Sequence, residues 1–283
     1  MEKEKIGLVL EGGGVRGIYT AGVLDVFMEE GITFDGVIGV SAGAIHGCSY
    51  LSGQKGRSLR YYKKYSKDPR FMGFKTLLKT GEIVGGDFCY RELPEEIDIY
   101  DYDAFNKCNT PFYVTCSNVE TGKAEYLQIT DMKAQIAKLR ASASLPYFSK
   151  LVEIDGGKYL DGGCTDSIPV EAFRKMGYGK NVVVLTREAK YRKSPELSWM
   201  AKLMYRKYPA FVQALLNRAE DYNKTVERIQ ELEKEGSIFV IRPEVPLNIG
   251  RLESDPAEIQ RVYDIGREDA LKIISEMKEW MSR

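Results

Sequence analysis

Two apolar runs, each delivered straight into a glycine-bearing turn and then into a helix pattern, constrain this chain more than any other feature. The first is Ile6-Gly7-Leu8-Val9-Leu10, followed by Glu11-Gly12-Gly13-Gly14-Val15-Arg16-Gly17. The second is a strand predicted over 34–40, ending in Val37-Ile38-Gly39-Val40 and followed by Ser41-Ala42-Gly43. Apolar runs this short and continuous read as strands buried on both faces. Strands of that kind, alternating with helices, assemble into a parallel sheet covered on both sides. The helices expected here run from about Arg16 to Glu30, with Ala21, Val23, Leu24, Val26 and Phe27 on the apolar side, and onward from Ala42. The fold class is therefore α/β, with a mainly parallel central sheet flanked by helices in three layers.

Further elements extend the pattern. Phe112–Cys116 and Lys123–Ile129 read as a strand pair turning near Thr121-Gly122, 131–142 as a helix, and 151–160 as a hairpin turning at Asp155-Gly156-Gly157. Asn181 to Thr186 is another buried strand. The stretch 197–235 reads as helix kinked at Pro209, and Ser237 to Ile241 as a late strand. A final helix opens with Asp255 as N-cap and Pro256 at its first position. Residues 55–109, rich in Tyr and Phe, read as short helices and loops capping the sheet. No linker composition interrupts the chain. The expected organisation is a core over residues 6–187 and a helical C-terminal extension over 188–283 packed on it.

Charge and cysteine usage narrow the function classes. Lys+Arg and Asp+Glu both number 41 in 283 residues, which argues against a nucleic-acid-binding footprint. No run approaches the ~18 apolar residues of a membrane span, and Met1-Glu2-Lys3-Glu4-Lys5 has no leader pattern. Five scattered cysteines without a Cys-x-x-Cys pair suggest a reducing, cytoplasmic setting.

Gly39-Val40-Ser41-Ala42-Gly43 has the Gly-x-Ser-x-Gly form of a nucleophile elbow, in which a strand ends, the chain turns sharply and the serine stands at the tip. The pentapeptide alone occurs by chance in about one chain in ten of this size, so its neighbours carry the argument. Gly12, Gly13 and Gly14 expose backbone N–H groups at the start of a helix, a setting that stabilises an anion such as the oxyanion of acyl transfer. Gly12-x-Gly14-x-x-Gly17 also fits a dinucleotide fingerprint. That fold requires an acid at the end of the second strand, whereas this one ends in Val40-Ser41 and Asp35 stands at its beginning.

A nucleophilic serine needs a base. His46 is the one histidine in the chain. It lies five residues past Ser41 on the helix that Ser41 launches, about 140° around and roughly 7 Å along, so a structural role is expected and a Ser-His-Asp triad is not. Carboxylates remain. Asp155 falls in a hairpin turn, and Asp166, ahead of Ile168-Pro169, reads as a helix N-cap. Asp161, in Asp161-Gly162-Gly163 at a strand end, has two readings: another turn, or a catalytic group, since such groups collect at strand ends in open α/β sheets.

In this order, Gly12 to Gly17, Gly39 to Gly43 and Asp161 to Gly163 resemble the patatin-like phospholipase family. The likeness spans about residues 12–163, and the block Ala141-Ser142-Ala143-Ser144-Leu145-Pro146-Tyr147 adds to it. The resemblance implies a patatin-like, modified α/β-hydrolase architecture. It implies Ser41 as nucleophile and Asp161 as proton acceptor of a Ser-Asp dyad. An oxyanion hole would come from Gly12, Gly13, Gly14 and the Arg16 loop, with Ala42 contributing, and Gly17, Gly39, Gly43, Gly162 and Gly163 would support the motifs. The expected activity is hydrolysis of lipid carboxylic esters through an acyl-serine, with no metal or cofactor and with a lipid or other acyl ester as partner. Acyl transfer from the same intermediate and a catalytically silent lipid-binding module are the alternatives. The apolar stripe over 197–216, with basic residues interleaved, has two readings: a helix packed on the core or a peripheral membrane contact.

Overall fold

The computed structural model describes residues 4–195 and 198–283. Met1–Lys3 and the expected helix start at Leu197 lie outside the described residues. The strands are β1 (Ile6–Leu10), β2 (Gly36–Val40), β3 (Phe112–Asn118), β4 (Lys123–Ile129), β5 (Val152–Ile154), β6 (Gly157–Asp161), β7 (Lys180–Val184) and β8 (Ile238–Ile241). The helices before the hairpin of β5 and β6 are α1 (Ile18–Glu29), α2 (Ala42–Leu51), α3 (Arg57–Tyr65), α4 (Phe74–Thr80), α5 (Tyr102–Lys107) and α6 (Ile136–Ser142). After it come α7 (Val170–Lys175), α8 (Ser198–Met204), α9 (Pro209–Lys234) and α10 (Pro256–Ser282).

One sheet holds all these strands. β3, β2, β1, β7 and β8 run parallel in that order. Antiparallel β4 covers one edge of β3 along its whole length, from Phe112 opposite Ile129 to Asn118 opposite Lys123. A strand has two edges, so β2 and β6 must share the other. β2 takes Phe112 to Thr115, and β6, running the opposite way, takes Cys116 to Asn118. The two strands therefore meet end to end, with Val40 opposite Thr115 and Asp161 opposite Cys116. Ser41 follows the end of β2 and Asp161 ends β6, so both stand at this junction.

Both faces of the sheet are buried, as the continuous apolar runs require. Leu8, Leu10 and Val37 pack with Val23 and Phe27 of α1 and Val262 and Met277 of α10. Val9, Ile38 and Val183 point the other way, onto Phe173 of α7 and Tyr222 and Ile229 of α9. The alternation of Leu8 and Leu10 against Val9 is the two-residue period of a strand. The chain thus forms the three-layer α/β arrangement expected from its sequence, and the C-terminal region supplies a strand and covering helices to it.

Two expected elements differ. The helix over 131–142 begins only at Ile136. Asp131 instead caps a turn, its Oδ1 accepting from Ala134 N at 2.9 Å. The kinked helix over 197–235 is two helices. Tyr208 has φ −127° and ψ 68°, outside the helical region, as the residue before proline prefers, and Pro209 occupies the first position of α9. The break divides the apolar stripe. Phe211 and Leu215 of α9 are in the core, whereas Trp199, Leu203 and Met204 of α8 are 61%, 64% and 52% exposed. Among the described residues no helix is long and apolar enough to cross a membrane.

Candidate active site

Adjacent parallel strands β2, β1 and β7 deliver Ser41, the Glu11-to-Gly14 loop and Thr186 to the same end of the sheet. From β1 the order continues to β2 on one side and to β7 on the other, and crevices at such points are the usual binding places of open α/β sheets. Asp35 lies at the opposite end, accepting from Ile6 N at 2.7 Å, which removes the dinucleotide alternative's missing acid from consideration.

Ser41 has φ 53° and ψ −120°, a conformation costing a residue with a Cβ about 1–3 kcal/mol. Its surroundings hold it there. Ser41 N donates to Ser142 Oγ at 3.0 Å, and Ser142 Oγ donates to Thr115 O at 2.7 Å. Ile45 N donates to Ser41 O at 3.1 Å. Side chains at Gly17, Gly39 and Gly43 would meet Ala42 Cβ, Ala44 N and Leu10 O at 2.6, 2.6 and 2.5 Å. The turn closes against β1 only because these positions are bare. A side chain at Gly12 would reach within 3.0 Å of Ser41 Cβ, so the glycine loop passes directly beside the serine. Gly14 has φ 60°, a left-handed conformation that suits glycine. Ala42 is the first residue of α2, where helix N–H groups have no intrahelical acceptor.

Asp161 closes β6 at the junction. Its N–H donates to Ser144 O at 2.8 Å, and its carbonyl accepts from Ser117 Oγ at 2.8 Å. Oδ1 accepts from Gly163 N at 2.8 Å, while buried Oδ2 has no hydrogen-bond partner among the described residues. A Cβ at Gly162 would fall 2.1 Å from Thr115 O, so only glycine lets the chain leave the sheet there. Burial pushes the Asp161 carboxyl above its ordinary value. The Ser41 hydroxyl facing it is the strongest opposing influence, followed by Arg218, the Gly163 N–H and Arg251.

The other candidates separate cleanly. His46 is buried, with Nδ1 2.9 Å from Ser58 Oγ, and burial pushes its pKa down to about 3, so it is neutral. Asp155 sits in the β5–β6 turn with φ 51°, as its Asp-Gly-Gly context suggests. Asp166 is not a helix N-cap: α7 begins at Val170, after Pro169. Asp166 instead accepts from Tyr126 Oη at 2.8 Å and from Ile168 N at 3.3 Å. Pro169 postpones the helix, because the residue before a proline is driven out of the helical region.

Arg16 is buried beneath the glycine loop, its Nε donating to Thr186 Oγ1 at 3.3 Å. Its neighbour Glu11 was not singled out in the sequence and proves central. Glu11 Oε2 accepts from Thr186 N at 2.6 Å and Thr186 Oγ1 at 3.0 Å, and Oε1 accepts from Tyr222 Oη at 2.9 Å. Thr186 Oγ1 also lies 3.1 Å from Gly12 O. Glu11 thereby ties the glycine loop to β7 and to α9. Its place at the end of β1, beside the glycines, was the signal available. Tyr222 gave none, being 211 residues away.

Two cavities meet at Ser41. One is apolar and lined by Ile45, Tyr62, Phe71, Leu93, Met132 and Leu139. The other is polar and lined by Asp161, Arg16, Arg187, Lys193, Arg218 and Arg251. Ser41, Gly14, Leu145 and Arg251 border both.

The chain is similar to an uncharacterised protein, YjjU, of Escherichia coli K12, at 28% identity over 93% of this chain and 75% of that one. A protein named lysophospholipase NTE1 from Scheffersomyces stipitis is 25% identical over 97% of this chain, but the match spans only 18% of the yeast protein. The crystal structure of VipD from Legionella pneumophila aligns with 97% of this chain and 67% of its own, with a TM-score of 0.45 and 13% identity. Residues 208–282 match a domain of unknown function (DUF6363). Residues 8–174, more than half of the chain, match the model of the patatin-like phospholipases. That match contains the glycine loop, the elbow and the Asp161 turn, and the chain belongs to the patatin-like phospholipase family.

Proposed function

We propose that this protein is a serine hydrolase of lipid carboxylic esters, with Ser41 as nucleophile and Asp161 as its base. The observation carrying this reading is the end-to-end meeting of β2 and β6 on one edge of β3. It sets a strained serine against a buried carboxylate whose Oδ2 is otherwise unpartnered. Membership of the family and the relatives named lysophospholipase support it.

The chemistry follows from the groups in place. Ser41 Oγ attacks the ester carbonyl carbon as its proton passes to Asp161, and backbone N–H groups of the Gly12–Gly14 loop and Ala42 stabilise the oxyanion. The bond to the alcohol oxygen then breaks, and Asp161 returns the proton to that oxygen. Water then attacks the acyl-serine, its proton taken by Asp161, and the bond to Ser41 Oγ breaks as Asp161 returns that proton to Oγ, releasing the free acid. An ordinary Asp, with a pKa near ~3.9, is a weak base at neutral pH. Desolvation raises that basicity towards the working range. Arg16 acts through the loop: its bond to Thr186 holds the glycines that face the substrate. The apolar cavity takes the acyl chain.

A fluorophosphonate probe and p-nitrophenyl butyrate test the reading. The wild-type protein is labelled at Ser41 and turns over the ester. Ser41→Ala abolishes both, and Asp161→Asn lowers turnover about 10²–10⁴-fold. Near-normal turnover by either variant sinks the dyad. Labelling of the wild type without hydrolysis in water transfers the case to an acyltransferase.

A further inference from the structure

The polar cavity contains Ser41, Asp161 and the glycine loop, and extends from them to side chains the dyad chemistry does not use. Asp161 must hand a proton to the departing alcohol, so the leaving group stands beside Asp161. Asp161 lines the polar cavity and not the apolar one. The acyl chain and the head group are therefore sorted to opposite sides of Ser41.

The lining of that cavity is strongly cationic in a chain of zero net charge. Arg16, Arg187, Lys193, Arg218 and Arg251 face it, against the carboxylates of Glu11 and Asp161. Glu11 is committed to Thr186 and Tyr222. The cations are held by their surroundings. Arg187 lies over the Tyr191 ring at 4.2 Å, and Lys193 Nζ over the Tyr222 ring at 4.1 Å. Arg218 Nε donates to Gly163 O at 2.5 Å, two residues from Asp161. The backbone carbonyl of Arg251 accepts from Val15 N at 3.1 Å, anchoring that residue to the glycine loop. Arg187 Nε is buried without a hydrogen-bond partner among the described residues. The charges of Arg187 and Arg251 also reach Arg16, adding to the burial that lowers its pKa.

Four of these five cations, Arg187, Lys193, Arg218 and Arg251, lie beyond residue 174, where the match to the phospholipase family ends. Arg218 and Arg251 lie in the 208–282 region of unassigned function. We propose that this C-terminal region supplies a head-group subsite for acidic lipids. It receives the phosphate of an anionic glycerophospholipid or lysophospholipid and disfavours head groups that also carry an ammonium. The inference rests on the hydrolase reading above. A phosphate oxygen accepts from guanidinium donors in the cavity. A choline or ethanolamine nitrogen would meet the like charges of Arg16, Arg187 and Arg251, and among the described residues that line the cavity Asp161, which the reaction uses, is the one carboxylate not engaged by Thr186 and Tyr222. Discrimination thus comes from repulsion of the wrong head group as well as attraction of the right one.

The test compares 1-oleoyl lysophosphatidylglycerol with 1-oleoyl lysophosphatidylcholine, both below their micellar concentrations. The expected wild-type kcat/KM ratio favours the phosphoglycerol head about tenfold and shrinks when salt is raised to about 0.5 M, as partly exposed charges are screened. Arg187→Gln with Arg251→Gln lowers the ratio at least about fivefold, chiefly through KM of the acidic lipid, and Arg187→Lys with Arg251→Lys restores most of it. A wild-type ratio near one, or a Gln variant within twofold of the wild type, overturns the subsite. So does inorganic phosphate that inhibits while the ratio stays near one, which marks a site for free anions. Hydrolysis of p-nitrophenyl butyrate with a ratio near one defeats only this inference. No hydrolysis of the butyrate or of either lipid defeats the hydrolase reading itself.

Discussion

The two cavities on either side of Ser41 are built in opposite ways. The apolar one comes mainly from one stretch of chain, with Tyr62, Phe71, Leu93, Met132 and Leu139 falling within the span from α3 to α6 and Ile45 of α2 added to them. The polar one gathers Glu11, Asp161, Arg187, Arg218 and Arg251 from segments far apart in the sequence. The first needs only area, because dispersion and burial are non-directional and many apolar sets would serve. The second needs particular groups at particular places, because hydrogen bonds and charges fail when misplaced. On the proposed function, the acyl side is thus set by composition and the reacting side by topology.

Changes on the polar side should alter rate whatever the chain length, and changes on the apolar side should alter chain-length preference. Asp161→Asn is the largest expected effect, and it separates function from stability. Burial raises the folded-state pKa of Asp161 above its unfolded value. Its contribution to stability is therefore fully present below the unfolded pKa of ~3.9 and is lost as pH rises through the folded value. A neutral Asn escapes that loss and can keep the acceptor for Gly163 N. The variant should melt about 1–3 °C higher at pH 7, with the gain fading as pH falls towards ~4. Under the proposed dyad, the wild-type kcat/KM should fall as pH drops through the same folded value, because Asp161 is then protonated. A variant that melts lower at pH 7, measured by calorimetry across pH 4–8, contradicts the desolvated carboxylate.

Val84→Phe narrows the apolar cavity it lines. The ratio of kcat/KM for p-nitrophenyl palmitate to that for the butyrate should fall about 3–10-fold, the scale of one misplaced apolar group in a pocket. An equal loss on both esters would remove the acyl role of that cavity. Tyr222→Phe is the smallest change. It withdraws one donor from buried Glu11, costing about 1 kcal/mol and about 2–4 °C in melting temperature. Turnover of short and long esters should fall together, since Glu11 supports the glycine loop. A chain-length-dependent loss would blur the separation between the cavities.

Much of this architecture is legible along the chain because the signals are local. Two buried strands followed by glycine turns announce a parallel sheet, and a serine between Gly39 and Gly43 needs no distant partner to look like an elbow. Asp155 and Asp161 share the same Asp-Gly-Gly spelling, yet the first sits in a hairpin turn and the second at a strand end. Their contexts separate them: strand pattern flanks Asp155 on both sides, whereas it ends at Asp161. Ser142 lay within a block already noted for its likeness to the family, but its bridge between Ser41 N and Thr115 O could not be read from spacing. The sequence around Pro209 predicts a kink, and the structure has a break. A helix pattern on both sides of a proline does not say whether the intervening turn survives, and here Tyr208 leaves the helical region.

By itself the sequence determined which segments are strands buried on both faces, where the chain must turn without a side chain, and that the lone histidine follows Ser41 on a helix. These are consequences of steric limits and hydrophobic period, which act over a few residues. Only the tertiary structure decided that β2 and β6 share one edge of β3, so that Ser41 and Asp161 face each other across their ends. It also decided that cations from the last third of the chain surround them. Edge sharing depends on pairing Val40 with Thr115 and Cys116 with Asp161, 75 and 45 residues apart, and the tie of the glycine loop to α9 spans 211 residues, from Glu11 to Tyr222. No local preference encodes such pairing, because it is selected by the packing of the whole sheet.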